Sequence, residues 1–283
     1  VGDAVQVKHF VTGQDALLSL AGPANKQGRI AADNICGGDS RYTGSQGSSV
    51  IKVFGMTAAV TGVSEAAAKQ AGLEVDTVVL SPMNHAGYYP GGTVMTMKVV
   101  FERGTYRLLG AQIVGYDGVD KRIDVLATAI RAGLKATDLK DLDLAYAPPY
   151  SSAKDPVNMA GFMIENIAKG LVRQWHLEDA PALPRDGSAT LLDVRTGAEF
   201  AGGHLDGFFN IPVDELRDHL DELDRSKPVY VICQSGLRSY IACRILAGHG
   251  FTCYNFSGGF RFYDAVTNDR CLTRSATPCG MDR

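Results

Sequence analysis

The chain has 283 residues, of which 45% are hydrophobic and 21% charged, and its formal net charge is −3. This length allows two domains of ordinary size, and the balanced charge gives no reason to expect binding to nucleic acids or membrane surfaces. No apolar run approaches the roughly 18 to 20 residues that a membrane-spanning helix needs. The six cysteines form no Cys-x-x-Cys pair, which argues against a zinc site or a disulfide framework and is typical of a reducing cytoplasm.

The N-terminal region begins at Val1 without an initiator methionine, so we expect the chain to be cut from a longer protein. After the triplet Gly2-Asp3-Ala4, the segment from Leu20 to Cys36 is predicted to be a helix. A proline lies near its start and a glycine pair follows its end, as is common at helix boundaries. A Gly/Ser-rich connector, residues 44–49, separates this helix from the next elements.

The following region is predicted to contain five strands and two helices. The predicted strands are 50–54, 58–60, 74–80, 93–102 and 106–115, and the predicted helices are 64–71 and 119–134. In the second helix Val119, Ile123, Leu126 and Ile130 trace one apolar face. This order of elements favours an α+β domain, with a mixed sheet and helices on one side.

The most informative segment lies in the C-terminal half, where Cys233 follows the apolar run Val229–Ile232. This run is predicted to be a buried strand, and the segment from Gly236 to Gly248 a helix, because its apolar residues recur at helical spacing. Cys233 therefore lies between the C-terminal end of a strand and the N-terminus of a helix. Free amide N–H groups and the helix dipole stabilise negative charge there and favour a nucleophilic thiolate.

The number of residues between Cys233 and Arg238 limits the chemistry of this loop. A cradle of amides between a cysteine and an arginine could hold either a phosphate or a sulfur atom. Cysteine phosphatases of this design place one residue more between the two than the four found here. The shorter loop fits a single sulfur atom better than a tetrahedral phosphate. A buried structural cysteine is the alternative interpretation.

Several motifs around this loop occur in the order expected of one family. They are Leu191–Arg195, Glu199-Phe200, Gly203–Gly207, Asn210–Pro212 and Ser257–Phe260. Together with the loop they resemble a rhodanese domain over residues from about 178 to 270. The resemblance implies an α/β fold with a central parallel sheet, and a sulfurtransferase activity in which Cys233 accepts a sulfur atom as a persulfide. Arg238 would orient the loop or an anionic donor, and the sulfur would be cradled by Gln234, Ser235, Gly236, Leu237 and Ser239.

Three polar residues near the loop, Asp193, Arg195 and Glu199, are expected to be structural. Thr196 and Glu199 have the capping-box spacing of a short helix. Arg195 is expected to pair with Glu199, four residues further along the chain.

The first half carries motifs of a second family. The triplet Gly2-Asp3-Ala4 and the segment 20–28 resemble the end of the flavin-binding region in pyridine nucleotide-disulfide oxidoreductases, and residues 44–170 resemble that family's dimerisation domain. The segments 88–91 and 146–156 look like the coenzyme A-disulfide reductase branch. Residues 1–43 are then the remnant of a FAD-binding domain. A rhodanese domain fused behind such a module is the layout of bacterial coenzyme A-disulfide or persulfide reductases.

By that resemblance, the intact enzyme is a homodimer that uses FAD and NAD(P)H to reduce disulfides, persulfides or polysulfides of coenzyme A. The resemblance also implies ligand contacts for residues of this chain: the flavin for Asp3, Ala4 and Tyr146, and coenzyme A for Tyr88, Lys154 and Lys26. Each tyrosine would reach across the dimer interface, where a phenol can stabilise a thiolate. A turn residue for Tyr88, a packing residue for Tyr146 and a solvated charge for Lys154 are the structural alternatives.

The chain departs from that family in its electron-transfer parts. It has no Gly-x-Gly-x-x-Gly phosphate loop and no Ser-x-x-x-Cys redox motif, and Cys36 lacks that context. We therefore expect this chain alone to retain no FAD, NAD(P)H or coenzyme A, to hold no metal, and to keep only sulfur transfer. The alternatives are a non-catalytic dimerisation and sulfur-carrier module, or a cysteine phosphatase. In the tail, residues 271–283, Cys271 and Cys279 either resolve a persulfide on Cys233 or are bystanders.

Overall fold

The computed structural model describes residues 1–268, and the chain divides into two compact units, Val1–Glu165 and a second that begins at Asn166. Cys271, Cys279 and the predicted tail lie outside the described residues. No helix within residues 1–268 is long and apolar enough to span a membrane. The same residues contain no group of three or more His, Cys, Asp or Glu side chains that could hold a metal ion.

The first unit contains a small antiparallel strand pair, a larger sheet and the helices that accompany them. Its strands are β1 (Val7–Lys8), β2 (Asp15–Ala16), β3 (Ser49–Val53), β4 (Met56–Gly62), β5 (Val75–Leu80), β6 (Thr96–Glu102) and β7 (Leu108–Gly115). Its helices are α1 (Ala21–Ile35), α2 (Glu65–Gln70), α3 (Val119–Ala132) and α4 (Pro156–Ala168, which runs into the second unit), with a 3₁₀ helix at Ala136–Asp141. The three predicted helices are confirmed, and their ends differ from the prediction by at most two residues.

The larger sheet of the first unit has the strand order β3-β4-β7-β6-β5, and each neighbouring pair is antiparallel. The α+β class is confirmed, but the expected mixed sheet is wrong. For two of the four pairs the reason lies in the connections: Phe54 and Gly55 alone join β3 to β4, and residues 103–107 join β6 to β7. Links this short permit only an antiparallel return, because a parallel pair needs a crossover of about a dozen residues or more.

The two faces of this sheet differ in what covers them. Side chains alternate between the faces along each strand, and the face that carries Ala59 and Ile113 is buried, with α3 packed on β4 and β7. On the opposite face, Ile51 pairs with Ala58, and Ala58 in turn pairs with Val114. We call this opposite side the open sheet face; its exposed apolar side chains are Ile51, Val53, Met56, Val60 and Val114.

The second unit is built on a parallel sheet. Its strands are β8 (Gln174–Trp175), β9 (Thr190–Asp193), β10 (Phe209–Asn210), β11 (Val229–Ile232) and β12 (Cys253–Phe256). Its helices are α5 (Gly197–Ala201), α6 (Leu237–Gly248) and α7 (Gly259–Thr267), with 3₁₀ helices at Leu177–Ala182 and Leu216–Glu222. The strand order is β10-β9-β11-β12-β8 and each neighbouring pair is parallel, which confirms the predicted α/β fold. Parallel strands end at one edge of the sheet, so that edge collects Asp193, Cys233 and Ser257.

Two glycines in helices are expected to respond to alanine with opposite signs. In α4, a Cβ at Gly161 would lie 2.2 Å from the backbone nitrogen of Lys140, so Gly161→Ala is expected to lower the free energy of unfolding by roughly 1–3 kcal/mol. In α1, a Cβ at Gly28 meets nothing within 4 Å, so Gly28→Ala is expected to raise it by up to ~1 kcal/mol. Chemical denaturation of the two variants measures both effects, and a Gly161→Ala protein as stable as its parent would contradict the packing.

Candidate functional site

The loop after β11 places the sulfur of Cys233 at the start of α6. Gly236 precedes the helix with a φ of +96°, a left-handed conformation that glycine adopts without strain. Its N–H group donates to Cys233 Sγ at 3.1 Å, and the hydroxyl of Ser239 donates to the same sulfur at 3.2 Å. The structure therefore brings together Cys233, Gly236 and Ser239, with two donors converging on one sulfur atom.

The cradle around this sulfur is narrower than predicted. Within residues 1–268, its hydrogen bonds come from the Gly236 amide and the Ser239 hydroxyl, and none comes from the amides of Gln234, Ser235 or Leu237. Cys233 is fully buried, with a relative exposure of 0%. Reaction at its sulfur therefore requires local opening of the loop, because no surface of the residue meets solvent.

The segment after β12 packs directly against this loop. The N–H group of Phe260 donates to the carbonyl of Cys233 at 2.7 Å. Gly259 has a φ of +72°, and a Cβ there would lie 2.6 Å from the backbone nitrogen of Ser235. Glycine is required at this position both by its conformation and by the close approach of the two backbones. Contact with the loop thus explains the Ser257–Phe260 motif.

Arg238 forms a two-armed ion pair with Glu199, in which Nη1 and Nη2 each lie 2.7 Å from one carboxylate oxygen. Hydrogen bonds from Arg238 and then from Thr196 hold the pKa of Glu199 at about 2, against the effect of partial burial. The same ion pair raises the pKa of Arg238. The Thr196 amide and hydroxyl donate to Glu199 at 2.9 and 3.0 Å, which confirms the predicted capping box.

The predicted pairing of Arg195 with Glu199 is wrong. The guanidinium of Arg195 donates to both carboxylate oxygens of Asp193, at distances from 2.7 to 3.1 Å, and both residues are buried. Asp193 ends a strand and Arg195 follows two residues later, so the two side chains leave the extended chain on the same side. Arg195 Nη1 also donates to Gln234 Oε1 at 3.4 Å, which links this ion pair to the Cys233 loop.

The first unit brings Tyr88 and Tyr146 together across 58 residues of sequence, with their hydroxyl oxygens 3.0 Å apart. The side chains are 77% and 47% exposed, so this pair of phenols lies at the surface. The hydrogen bond with Tyr88 raises the pKa of Tyr146. Two phenols at one exposed point can donate hydrogen bonds to an anionic sulfur. Lys154 is also exposed, and within residues 1–268 no hydrogen bond joins it to either tyrosine.

Two of the three residues expected to meet the flavin, Asp3 and Ala4, lie beside α1, whereas the third, Tyr146, belongs to the pair with Tyr88. Asp3 and Ala4 are exposed. The Asp3 carbonyl accepts a hydrogen bond from the Ser19 hydroxyl at 3.3 Å, and the Gly2 amide donates to Gln27 Oε1 at 2.8 Å. No side chain caps the start of α1, so its first amides are available to an acceptor. The exposed Asp3 carboxylate can make polar contacts at one edge of a flavin.

Lys26, on α1, lines a cavity of about 740 Å³. Its cationic lining side chains are Lys26, Arg29, Arg41 and Arg131, and Asp124 is acidic. A cavity whose charged lining side chains are four cations and one carboxylate suits anionic groups such as phosphates. Neither Tyr88 nor Tyr146 lines it, so the structure does not bring Lys26 to the tyrosine pair.

Arg122 was missed by the sequence analysis. It lies in α3, is 1% exposed, and pairs with the buried Asp155, with Nη2 2.9 Å from Oδ2. In the sequence it follows Val119 by three residues and precedes Leu126 by four, so it falls on the apolar face of the predicted helix. A charge on a buried face requires a partner. The presence of an arginine on the apolar face of the predicted helix is therefore the signal that could have identified Arg122.

Both units match known families. Residues 48–156 match the pyridine nucleotide-disulphide oxidoreductase dimerisation domain, and residues 176–265 match the rhodanese-like domain. Among curated relatives, the NAD(P)H coenzyme A polysulfide/persulfide reductase of Pyrococcus horikoshii is 36% identical over 156 residues, which are 55% of this chain and 35% of that protein. The coenzyme A disulfide reductase of Staphylococcus epidermidis is 34% identical over 163 residues, 57% of this chain and 37% of that protein.

Two solved structures resemble nearly the whole chain. Reduced Bacillus anthracis CoADR-RHD superposes with a TM-score of 0.92 at 46% identity, covering 95% of this chain and 48% of that one. The NAD-dependent persulfide reductase from A. fulgidus superposes with a TM-score of 0.84 at 41% identity, covering 93% of this chain and 48% of that one. The chain thus spans about half of these structures and about a third of the curated relatives. The chain contains a pyridine nucleotide-disulfide oxidoreductase dimerisation domain followed by a rhodanese-like domain.

Proposed function

We propose that this chain is part of a FAD- and NAD(P)H-dependent reductase of coenzyme A disulfides, persulfides or polysulfides, and that its rhodanese-like domain transfers sulfur through a persulfide on Cys233. The observation that carries the sulfur-transfer part is the convergence of the Gly236 amide and the Ser239 hydroxyl on Cys233 Sγ. The reductase part is supported by the names and the coverage of the relatives described above.

The proposed transfer proceeds in two displacements. Once the loop has opened, the Cys233 thiol loses its proton to solvent, and the Gly236 and Ser239 donors stabilise the resulting thiolate. The thiolate attacks the outer sulfur of a donor such as thiosulfate; a sulfur–sulfur bond forms on Cys233 as the donor's own bond breaks, and sulfite leaves with the electron pair. An acceptor thiolate or cyanide then attacks the outer sulfur of the persulfide and releases the Cys233 thiolate. The first displacement loads one sulfur atom on Cys233, and the second passes that atom to the acceptor and regenerates the Cys233 thiolate.

The first unit would supply contacts to the cofactor and substrate of the intact enzyme. Asp3 and Ala4 would hold one edge of FAD, which when bound supplies electron transfer from NAD(P)H. Tyr88 and Tyr146 would donate hydrogen bonds to a substrate thiolate, and Lys154 and Lys26 would contact phosphates of coenzyme A. We place the protein in a reducing cytoplasm as part of the same proposal, because the Cys233 thiolate would be oxidised in an oxidising compartment. Retention of only sulfur transfer by this chain alone remains a prediction.

The alternatives differ in their support. A phosphatase needs an arginine free to bind the oxyanion, whereas both arms of Arg238 are engaged by Glu199. A sulfur-carrier module is favoured by the complete burial of Cys233, because a partner protein could open the loop where small donors could not. We therefore keep the carrier as the second candidate.

We further propose that two copies of the chain associate through the open sheet face. Ile51, Val53, Met56, Val60 and Val114 are between 39% and 61% exposed on this face. A contiguous apolar sheet surface of this kind is typical of a protein interface, and the first unit matches a dimerisation domain. A homodimer would bury the surface against its own symmetry copy.

A charge introduced on β3 is expected to weaken dimer association only when it lies on the open sheet face. Ile51→Lys places a cation on the open sheet face and is expected to weaken association at least tenfold, because burying an unpaired charge is costly. Val50→Lys is the matched control: Val50 is 58% exposed on the same strand, and its side chain points to the other face. Sedimentation equilibrium over micromolar concentrations measures both. A parent chain that is monomeric, or equal weakening by the two variants, would contradict the proposed interface.

Sulfur loading is expected to depend on Cys233 alone. After exposure to thiosulfate, mass spectrometry of the parent should show the gain of one sulfur atom on the peptide that contains Cys233, and thiocyanate should form when cyanide is added. Cys233→Ser is expected to lose both signals because the nucleophile is gone. Cys36→Ser, which changes an exposed cysteine of the first unit, should retain them.

Undiminished turnover by Cys233→Ser would refute the assignment. A loaded persulfide that small thiols cannot discharge would favour the carrier module instead. Hydrolysis of aryl phosphates by the parent, lost in Cys233→Ser, would favour the phosphatase.

Glu199→Gln is expected to destabilise the second unit in a pH-dependent way. Pairing lowers the pKa of Glu199 from 4.5 to about 2, so the carboxylate stabilises the native state above pH ~4.5 and ceases to do so as the pH falls through about 2. The variant should be less stable at pH 7 by roughly 0.5–1 kcal/mol, because the pair is partly exposed. The difference should shrink below pH ~4.5.

The chain's single tryptophan, Trp175, is buried in the second unit, so urea denaturation followed by its fluorescence reports on this unit. A stability difference between parent and Glu199→Gln that is the same at pH 7 and pH 3 would show that Glu199 does not act through its charge.

A further inference from the structure

Arg122 is buried against the two loops that carry Tyr88 and Tyr146. Its Nη2 group donates to the carbonyl of Asn84 at 2.8 Å, in the connection between β5 and β6 that leads to Tyr88. The same nitrogen donates to the carbonyl of Tyr150 at 3.4 Å and to the hydroxyl of Ser151 at 3.2 Å, in the loop that follows Tyr146. One buried guanidinium therefore contacts both tyrosine loops.

Further hydrogen bonds link the residues that contact Arg122 to the residues beside the two tyrosines. The Ala86 amide donates to the Ser151 carbonyl at 3.1 Å, which joins the two loops directly. The amides of Tyr150 and Ser151 donate to the carbonyl of Ala147, the residue after Tyr146. Lys121, the residue before Arg122 in α3, donates from Nζ to the carbonyl of Ala145, the residue before Tyr146, at 3.3 Å. Hydrogen bonds thus fix the backbone on both sides of Tyr146, at Ala145 and at Ala147.

The guanidinium itself is held in one orientation. Asp155 accepts its Nε and Nη2 groups, with Oδ2 at 3.2 and 2.9 Å, and Nη1 donates to the carbonyl of Gly118 at 3.0 Å. Gly118 has a φ of +70°, and a Cβ there would lie 2.2 Å from Arg122 Nη1. The chain therefore leaves space for the guanidinium at the start of α3, where another side chain would displace it.

The hydrogen bond between Tyr88 and Tyr146 is too weak to hold the two side chains together by itself. Both phenols are exposed, and an exposed hydrogen bond competes with water and contributes little to stability. Two surface side chains stay 3.0 Å apart only when the backbones that carry them are fixed. The buried contacts of Arg122 supply that constraint.

We propose that Arg122 is a positioning residue that sets the mutual placement of Tyr88 and Tyr146. Its significance for catalysis rests on the role proposed above for these tyrosines; the placement itself does not. A lysine at this position would keep the charge opposite Asp155 but could not contact both loops and the Gly118 carbonyl at once.

The test follows the ionisation of Tyr146 in the full chain by NMR, with tyrosine labelled at Cζ and the resonance assigned by Tyr146→Phe. In the parent, the bond to Tyr88 raises the pKa of Tyr146, and Tyr88→Phe should lower that pKa toward the value of an ordinary tyrosine. Arg122→Lys should do the same although both tyrosines remain. Arg131→Lys is the matched control, since it makes the same change on the same helix, where Arg131 contacts Thr43 and Gly44 instead.

A folded Arg122→Lys protein in which Tyr146 titrates as in the parent would overturn the proposal, because a residue needed only for stability would leave the tyrosine pair intact. If Arg122→Lys does not fold, Ser151→Ala, which removes one partner of the guanidinium, should shift the pKa of Tyr146 partway, and an unchanged titration there would also overturn it. Neither readout involves coenzyme A or flavin. Failure of the proposed reductase function would therefore leave these results unaffected and would be recognised separately.

Discussion

A buried ion pair between Asp193 and Arg195 holds the reactive edge of the second unit together. Both residues are essentially without exposed surface, and Arg195 also donates to the carbonyl of Gly203 at 2.7 Å and reaches Gln234. Its guanidinium lies 3.9 Å from the centre of the Phe260 ring. One cation thus fastens the end of β9, the loop after α5, the Cys233 loop and the start of α7. Loss of either partner would leave a buried charge without compensation, at a cost of about 3–5 kcal/mol.

The first unit uses the same physical device at Arg122 and Asp155. In each pair the carboxylate also accepts a backbone amide, from Val157 at 3.0 Å in the first unit and from the Arg195 residue itself at 2.9 Å in the second. Replacing a buried ion pair by apolar residues is often neutral or stabilising, so stability alone is a weak reason for such a pair. What each arginine adds is geometry, because a planar guanidinium can hold several loops at fixed directions. In both units the groups proposed to act on sulfur lie on the loops held in this way.

The sequence predicts those parts of the site that depend on local order. The apolar run before Cys233 and the helical spacing after Gly236 place the thiol at a strand–helix junction, which the structure contains. The partner of Arg238 could not be found in this way, because Glu199 is 39 residues distant and only the fold brings them together. The partner of Arg195 was within reach, since residues two apart in an extended chain share a side, which favours Asp193. The expected pairing with Glu199 used a four-residue spacing, which brings side chains together within a helix, whereas Arg195 lies between the end of β9 and the start of α5.

The narrow cradle at Cys233 is consistent with a sulfur carried beyond it. In a persulfide the outer sulfur lies about 2.05 Å past Sγ, so it would occupy a different position from the atom that Gly236 and Ser239 hold. The first amides of a helix have no partner within it, and those of Leu237 and Arg238 begin α6. In the proposed persulfide, these amides would be available to stabilise the outer sulfur. Because Glu199 already neutralises Arg238, the stabilisation of the outer sulfur would come from main-chain amides. These amides do not titrate, and every sulfur donor that enters the loop would meet the same ones.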